Sequence, residues 1–386
     1  MLPRLFPSPP LRRSRLAALL LGFSGVFWGP LGGQPPALAC TRVLYTAPDG
    51  TVITGRTMDW AEDMRSNLWA FPRGMERSGG GRRLTPRWRS RYGSVVVSGY
   101  DMGTADGMNE KGLVANLLYL AESDYGKAHG KPVLSISLWA QYVLDQFASV
   151  DEAVRQLRTE PFRIVAPTLP NGKGAQLHLS LSDASGDSAI LEYIDGKLVI
   201  HHGRQYTVMT NSPNFDQQLA LNSYWQSIGG LAFLPGTIRA ADRFARASFF
   251  LQALPRRLDP AYSGAVPGHT FSRQALASVL SLLRGVSVPL GITTPPGQPN
   301  LASTIWRVVS EQNRRVLVFD AVTFPSVFWV SLDQLDLRPG APVRRLTVAG
   351  GQVFAGETAG RFQPATPFRF APADGGASAT PAPASR

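Results

Sequence analysis

Two hydrophobic rhythms divide this chain. From Cys40 onward the dominant one has period two, the spacing of a strand with alternating faces. "TRVLYTAPDGTVITGRTMDW" reads as a strand, a Pro-Asp-Gly turn at Pro48, Asp49 and Gly50, and a second strand, so Cys40 opens a hairpin. A strand over 88–97, running into "GSVVVSGY", and another in "GLVANLLYL", continue the pattern. "LHLSLSDASGDSAILEYIDGKLVIHHG" reads as three strands with turns at Ser185-Gly186 and Asp195-Gly196. "RRVLVFDAV" and "SVFWVSLDQL" return to strands near the end. The second rhythm, near 3.6, predicts helices over 134–158, 239–254 and 272–283. Strands and helices come in blocks rather than alternating βα units, which predicts an α+β fold with antiparallel sheets. No internal repeat is present.

The ends follow other rules. Residues 1–39 combine an arginine-rich start, an apolar stretch from Leu16 to Trp28 and the A-x-A site Ala37-Leu38-Ala39. That is the pattern of an export signal, and the apolar stretch is too short to span a membrane. The protein is therefore expected to be exported, to a periplasmic or extracellular location, with no stable membrane insertion once the signal is removed. Arg12-Arg13 is also the pair that twin-arginine export uses. Residues 371–386, rich in Ala, Pro, Gly and Ser, read as a disordered tail. One domain over 40–370 remains.

Composition narrows the function classes. The formal charge is +12. Arg4, Arg12, Arg13 and Arg15 lie ahead of Cys40, where there are no acids, so the part from Cys40 onward carries +8. A basic surface draws anions, either nucleic acid or a small carboxylate-bearing substrate. The densest basic stretch, Arg73 to Arg91 with Trp88 and Tyr92 interleaved, reads as a solvated Gly-rich loop, because no nucleic-acid fold motif accompanies it. No nucleic-acid partner is expected. One cysteine excludes both an intramolecular disulfide framework and a Cys-based zinc site, and the five histidines show no metal spacing. No metal and no organic cofactor are expected.

That one cysteine carries the chemistry. If the chain is cut before it, Cys40 brings together a thiol and a free α-amine whose ordinary pKa, about 7.7–8.0, suits a base near neutral pH. The thiolate then needs a cation nearby, a carboxylate to orient the amine, and donors for an oxyanion. By position alone three readings stay open. Cys40 is such a nucleophile, an inert buried thiol, or the lipid-attachment cysteine of an anchored binding protein.

The surrounding residues decide between them. The start "CTRVLYTAPDGTVITGRTMDW" resembles the choloylglycine hydrolase family, which contains conjugated bile acid hydrolases and penicillin V acylases. Further segments match in order: "DGMNEKGLVANLLYL", "SGDSAILEYIDGKLVIHHG", "MTNSPNFDQQL" and "LPGTIRAADRFARASFF". The resemblance covers the chain from Cys40 to about Leu332. It implies an αββα sandwich, two antiparallel sheets between helical layers, the N-terminal-nucleophile hydrolase fold. It also implies hydrolysis of linear amides with Cys40 as nucleophile. Arg56, Asp59, Tyr119, Asn211 and Arg243 stand at the family's catalytic positions. Asn211 and a backbone N–H near Tyr119 are the implied oxyanion donors. Trp60 and Trp69, with Tyr119, are candidates for an apolar acyl pocket, although core packing accounts for the two tryptophans equally well. Tyr119 falls where penicillin V acylases usually carry tyrosine and bile salt hydrolases asparagine. The stretch between Asn211 and Arg243 is shorter than in Gram-positive bile salt hydrolases, where an extra loop helps assemble a tetramer. A homo-oligomer therefore stays open. The implied partner is a small-molecule N-acyl amide, of penicillin V or N-acyl homoserine lactone type ahead of a bile salt conjugate.

Overall fold

The computed structural model describes residues 40–81, 84–167, 174–293 and 302–373. The expected export signal and the tail beyond 373 lie outside these residues. Among the described residues, most strands join two sheets. The first has seven strands, in the order Val208–Met209, Cys40–Thr46, Val52–Trp60, Ser303–Glu311, Val316–Ala321, Val327–Ser331 and Gly356–Glu357. Its neighbours are antiparallel except for the last pair. The second has nine antiparallel strands: Lys197–His202, Ser188–Ile194, Leu177–Ser182, Val114–Tyr119, Gly103–Asn109, Ser94–Gly99, Leu68–Phe71, Arg344–Leu346 and Gln363–Pro364.

The sheets pack face to face, and helices cover their outer faces. Helices α1 (Trp139–Gln146) and α2 (Val150–Leu157) lie on the nine-stranded sheet. Helix α3 (Phe215–Ile228) packs on α4 (Ala240–Ala253), which with α5 (Phe271–Gly285) covers the seven-stranded sheet. This is the αββα sandwich that the sequence resemblance implies. One glycine on each sheet sets how closely a helix approaches. A Cβ at Gly55 would sit 2.9 Å from both Leu283 Cδ1 and Val279 Cγ1 of α5. A Cβ at Gly107 would sit 2.9 Å from Leu144 Cδ1 of α1. Side chains there would push the layers apart, since sheet and helix interiors are close-packed.

The hairpin from Cys40 forms as its period predicts, with Cys40 opposite Met58 and Arg42 opposite Arg56. Both strands are buried along nearly their whole length, because one face meets the other sheet and one meets the helices. Three expectations change. The helix expected over 134–158 is two short helices separated by extended Phe147, with Ser149 capping α2 through the Glu152 N–H, and 134–138 belongs to a short strand and a 3-10 turn. The strand expected over 88–97 is two strands in different sheets, Arg87–Arg89 and Ser94–Gly99, separated by a turn that ends at Gly93, where a Cβ would meet Leu337 Cβ at 2.7 Å. Helix α3 was not expected; its signal was Asn214, which caps it by accepting from the Gln217 N–H.

The basic stretch carries ion pairs, but apart from Arg77 its paired arginines stay largely solvated, as the sequence reading expected. Arg73, Arg77, Arg89 and Arg91 lie against Glu110, Asp145, Glu76 and Glu152. Trp88 is buried and its indole N–H donates to Asp145. These acids offset part of what the sequence presents as a run of cations.

Candidate active site

Cys40 begins its strand, and the register of the hairpin decides what surrounds it. Residues directly opposite share a face, so Cys40, Met58, Arg42 and Arg56 all point toward the second sheet. Asp59 is offset by one from Met58 and points to the helix side, where Thr304 Oγ1 donates to its Oδ1 at 2.6 Å. The thiol and the carboxylate thus lie on opposite faces of one sheet, and only the end of the strand at Cys40 is close to both.

On the thiol face, Sγ lies 3.8 Å from Arg56 Nη2 and 4.0 Å from Met58 Sδ. Arg56 is buried and fixed at several points. Nη2 donates to Leu117 O at 2.8 Å, Nη1 to Ala105 O at 3.2 Å and Nε to Thr57 O at 3.1 Å, and the guanidinium lies over Trp306. Burial pushes the Cys40 thiol up, and Arg56 is the strongest influence pulling it back down. Behind Arg56 stands Asp106, 3.7 Å from Nη1 and accepting from Asn116 Nδ2 at 2.6 Å. Burial pushes Asp106 up to about 6 against the pull of Arg56.

On the helix face, Arg243 of α4 donates from Nη1 to Cys40 O at 2.5 Å and to Thr41 Oγ1 at 2.7 Å, and from Nη2 to Asn211 Oδ1 at 2.8 Å. Its Nη1 lies 3.9 Å from Asp59 Oδ2, which accepts no hydrogen bond although it is fully buried. Burial raises Asp59, and Arg243 lowers it. Asn211 links the groups: Oδ1 accepts from the Cys40 N–H at 2.6 Å and Nδ2 donates to Tyr119 O at 2.6 Å.

Cys40, Arg56, Trp60 and Tyr119 line one pocket, walled mainly by apolar residues such as Met64, Met102, Leu117 and Leu177. Trp60 is held by donating its indole N–H to Tyr100 Oη at 2.7 Å. Trp69 is a correction to the expected acyl pocket. On its strand Leu68 and Ala70 point into the core that contains Cys40, so alternation sends Trp69 and Phe71 to the other face of the sheet. There Trp69 stacks against Phe71, meets Phe368 edge-on and donates to Asp101. The other predicted residues, Cys40, Arg56, Asp59, Trp60, Tyr119, Asn211 and Arg243, converge.

Several contributors escaped the sequence reading. Asp106 stood inside the "DGMNEKGL" segment, a lone acid that is itself buried in its strand. Thr304 comes from a distant strand and carried no signal. His178 and Glu192 form a buried pair behind Asn211. The His178 ring lies 2.8 Å from Glu192 Oε1 and 3.0 Å from Thr210 O, and Glu192 Oε2 accepts from the Phe215 N–H. The pair thus holds the backbone on both sides of Asn211. Among the described residues no cluster of three or more His, Cys, Asp or Glu is placed to hold a metal.

The sequence pattern of the linear amide C–N hydrolases, choloylglycine hydrolase family, matches residues 40–344. The chain belongs to this family. It is 48% identical to penicillin V acylase of Pectobacterium atrosepticum over 355 residues, covering 88% of this chain and 94% of that protein. The solved structure of penicillin V acylase from Agrobacterium tumefaciens superposes with a TM-score of 0.77 at 51% identity, covering 86% of this chain and all of that one. A bile salt hydrolase/transferase of Lactiplantibacillus plantarum is 30% identical over 173 residues, covering 37% of this chain and 51% of that protein. A conjugated bile acid hydrolase variant from Clostridium perfringens shares the fold, with a TM-score of 0.66 at 21% identity, covering 82% of this chain and 99% of that one. As a choloylglycine hydrolase family member, the protein is a linear amide C–N hydrolase.

Proposed function

We propose that the mature chain begins at Cys40 and that its thiol attacks the carbonyl of an amide joining an apolar acyl group to a polar amine. The observation that carries this is the division of the site between two faces of one strand end. The thiol meets Arg56 on one face, Asp59 and Arg243 occupy the other, and the Cys40 nitrogen already contacts Asn211 between them. A residue inside a chain offers one N–H there. A freed α-amine offers more, and Asp59 Oδ2 is a buried acceptor without a donor.

The α-amine takes the thiol proton, and the thiolate adds to the carbonyl carbon. The second N–H of Asn211 Nδ2 and a backbone N–H near Tyr119 receive the oxyanion. The C–N bond breaks, the amine leaves with the proton, and water cleaves the thioester to release the acid and restore the thiol. Arg56 stabilises the thiolate, Asp59 orients the α-amine and the scissile nitrogen, and Arg243 holds Cys40 and Asn211 in place.

For the acyl group we favour the penicillin V or N-acyl homoserine lactone type over bile salt conjugates. The apolar pocket beside Cys40 with Tyr119 in its wall, and the 48% identity to a penicillin V acylase, support this. A lipid-anchored role for Cys40 fits poorly with a thiol only 2% exposed between two sheets. Export fits the segment ahead of Cys40. N-terminal sequencing and intact mass of the exported protein test the first claim, and an active enzyme starting several residues upstream refutes it. A hydrolysis panel of penicillin V, a long-chain acyl homoserine lactone and glycocholate tests the second. Cleavage of glycocholate ten times faster than either of the others overturns the substrate preference, and wild-type turnover by Cys40→Ala overturns the mechanism.

A further inference from the structure

The family pattern ends at residue 344, yet one wall of the pocket comes from beyond it. Ala371 lines the pocket that contains Cys40, beside Met102, Gly103 and Ser137. Composition assigned Ala371 to a disordered tail; here it is buried and its backbone is bonded on both sides. Its N–H donates to Met102 O at 2.8 Å, and its carbonyl accepts from Ser135 Oγ at 2.6 Å and Ser137 Oγ at 2.9 Å. Two residues on, the Ala373 N–H donates to Gly80 O at 3.0 Å. Gly80 has φ +81°, and a Cβ there would sit 3.3 Å from Ser135 Cβ and 3.4 Å from Ala373 N, so this close crossing is built on a glycine.

Aromatic residues anchor the approach. Phe368 packs edge-on against Trp69 and Phe71, with ring centroids 5.3 and 5.7 Å away, and Phe370 lies against Phe368 and under the Arg77 guanidinium. Trp69, displaced from the acyl pocket by strand alternation, holds the segment that lines it.

We propose that segment 368–373 is a wall of the acyl pocket that limits the length of acyl group accepted, with Ala371 as the specificity-determining residue and Trp69 and Ser137 as positioning residues. This rests on the reading of the pocket as the acyl site. A larger side chain at 371 shortens the pocket, and one misfitted apolar group is worth roughly 10–200-fold in kcat/KM.

The test compares wild type with Ala371→Leu on two series. One is acyl homoserine lactones of increasing chain length. The other is N-alkyl maleimides of increasing length reacting with Cys40, which needs no turnover. Ala371→Leu is expected to lower the long-to-short ratio at least tenfold in both series. Ser137→Ala, which removes one of the two hydroxyl bonds to the Ala371 carbonyl, is expected to raise the ratio in both, and it decides the matter if Ala371→Leu does not fold. Ratios within twofold of wild type in folded variants overturn the proposal. If no lactone is cleaved by any form but the maleimide ratios shift, the wall stands and the substrate reading falls. If lactones are cleaved and neither ratio shifts, the wall falls and the substrate reading stands.

Discussion

Arg56→Met removes the cation beside the thiol and leaves most of the side-chain volume in place. Arg56 pulls the buried thiol's pKa downward, and at 3.8 Å and an effective dielectric of ~20 the Arg56–thiolate attraction is about 4 kcal/mol. Losing it makes the thiolate rarer by up to about 1000-fold at neutral pH. The surviving thiolate is more basic and more nucleophilic, with a Brønsted slope of about 0.4–0.5, which restores nearly half of that on the logarithmic scale. A net fall of about 30-fold is expected in the rate of Cys40 alkylation by iodoacetamide at pH 7, with the midpoint of its pH profile moving upward. Hydrolysis is expected to fall at least as far. The variant also strips Asp106 of its counter-charge. Breaking a buried pair costs about 3–5 kcal/mol when a charge is left behind. Asp106 is already held up near 6, so without Arg56 it takes a proton at pH 7 and the loss is smaller. The double variant Arg56→Met/Asp106→Asn carries no unpaired charge and controls for unfolding. Alkylation within threefold of wild type from pH 6 to 9, in a folded variant, would refute the assignment of Arg56 as the thiolate's counter-ion.

Three further outcomes follow from the same geometry. Asp106 rises from an ordinary value of 3.8 to about 6, so the folded chain binds more protons than the unfolded one between those values, and the stability this group contributes is present below about pH 4 and lost as the pH rises through 6. Asp106→Asn should therefore gain about 2–3 kcal/mol on wild type between pH 4 and 7.5, measured by denaturant unfolding at both, and parallel curves would show that Asp106 does not titrate in this range. Asn211→Ala should lower kcat about 10²–10³-fold with a smaller change in KM, and an equal loss confined to KM would contradict its oxyanion role. Gly55→Val should cost about 1–3 kcal/mol in thermal or denaturant stability by forcing α5 off the sheet, and an unchanged melting temperature would show that the layers have slack there.

Much of this site was legible in one dimension because much of it is local. Cys40, Arg56, Asp59 and Trp60 lie on the two strands of one hairpin, and a hairpin's register follows from its turn and its alternation. The same alternation, applied to "NLWAF", would have placed Trp69 on the face opposite Leu68 and Ala70; what the sequence lacked was which face the pocket occupied. Helix α3 buries only Phe215 and Gln218, too little to leave an apolar stripe in the pattern. Asp106, Thr304 and His178 are polar residues in buried strands, and nothing along the chain says that each meets a partner from another strand. Ala371 shows the limit most plainly. A small residue in an Ala/Pro-rich segment carries no hydrophobic signal, and its place in the pocket wall depends on phenylalanines packing on the far side of a sheet and on two serine hydroxyls more than 230 residues away in the chain. Local order is written in periodicity because neighbouring residues share a backbone geometry. Which faces meet is decided only when the layers close, because burial and hydrogen bonding between distant segments are satisfied jointly or not at all.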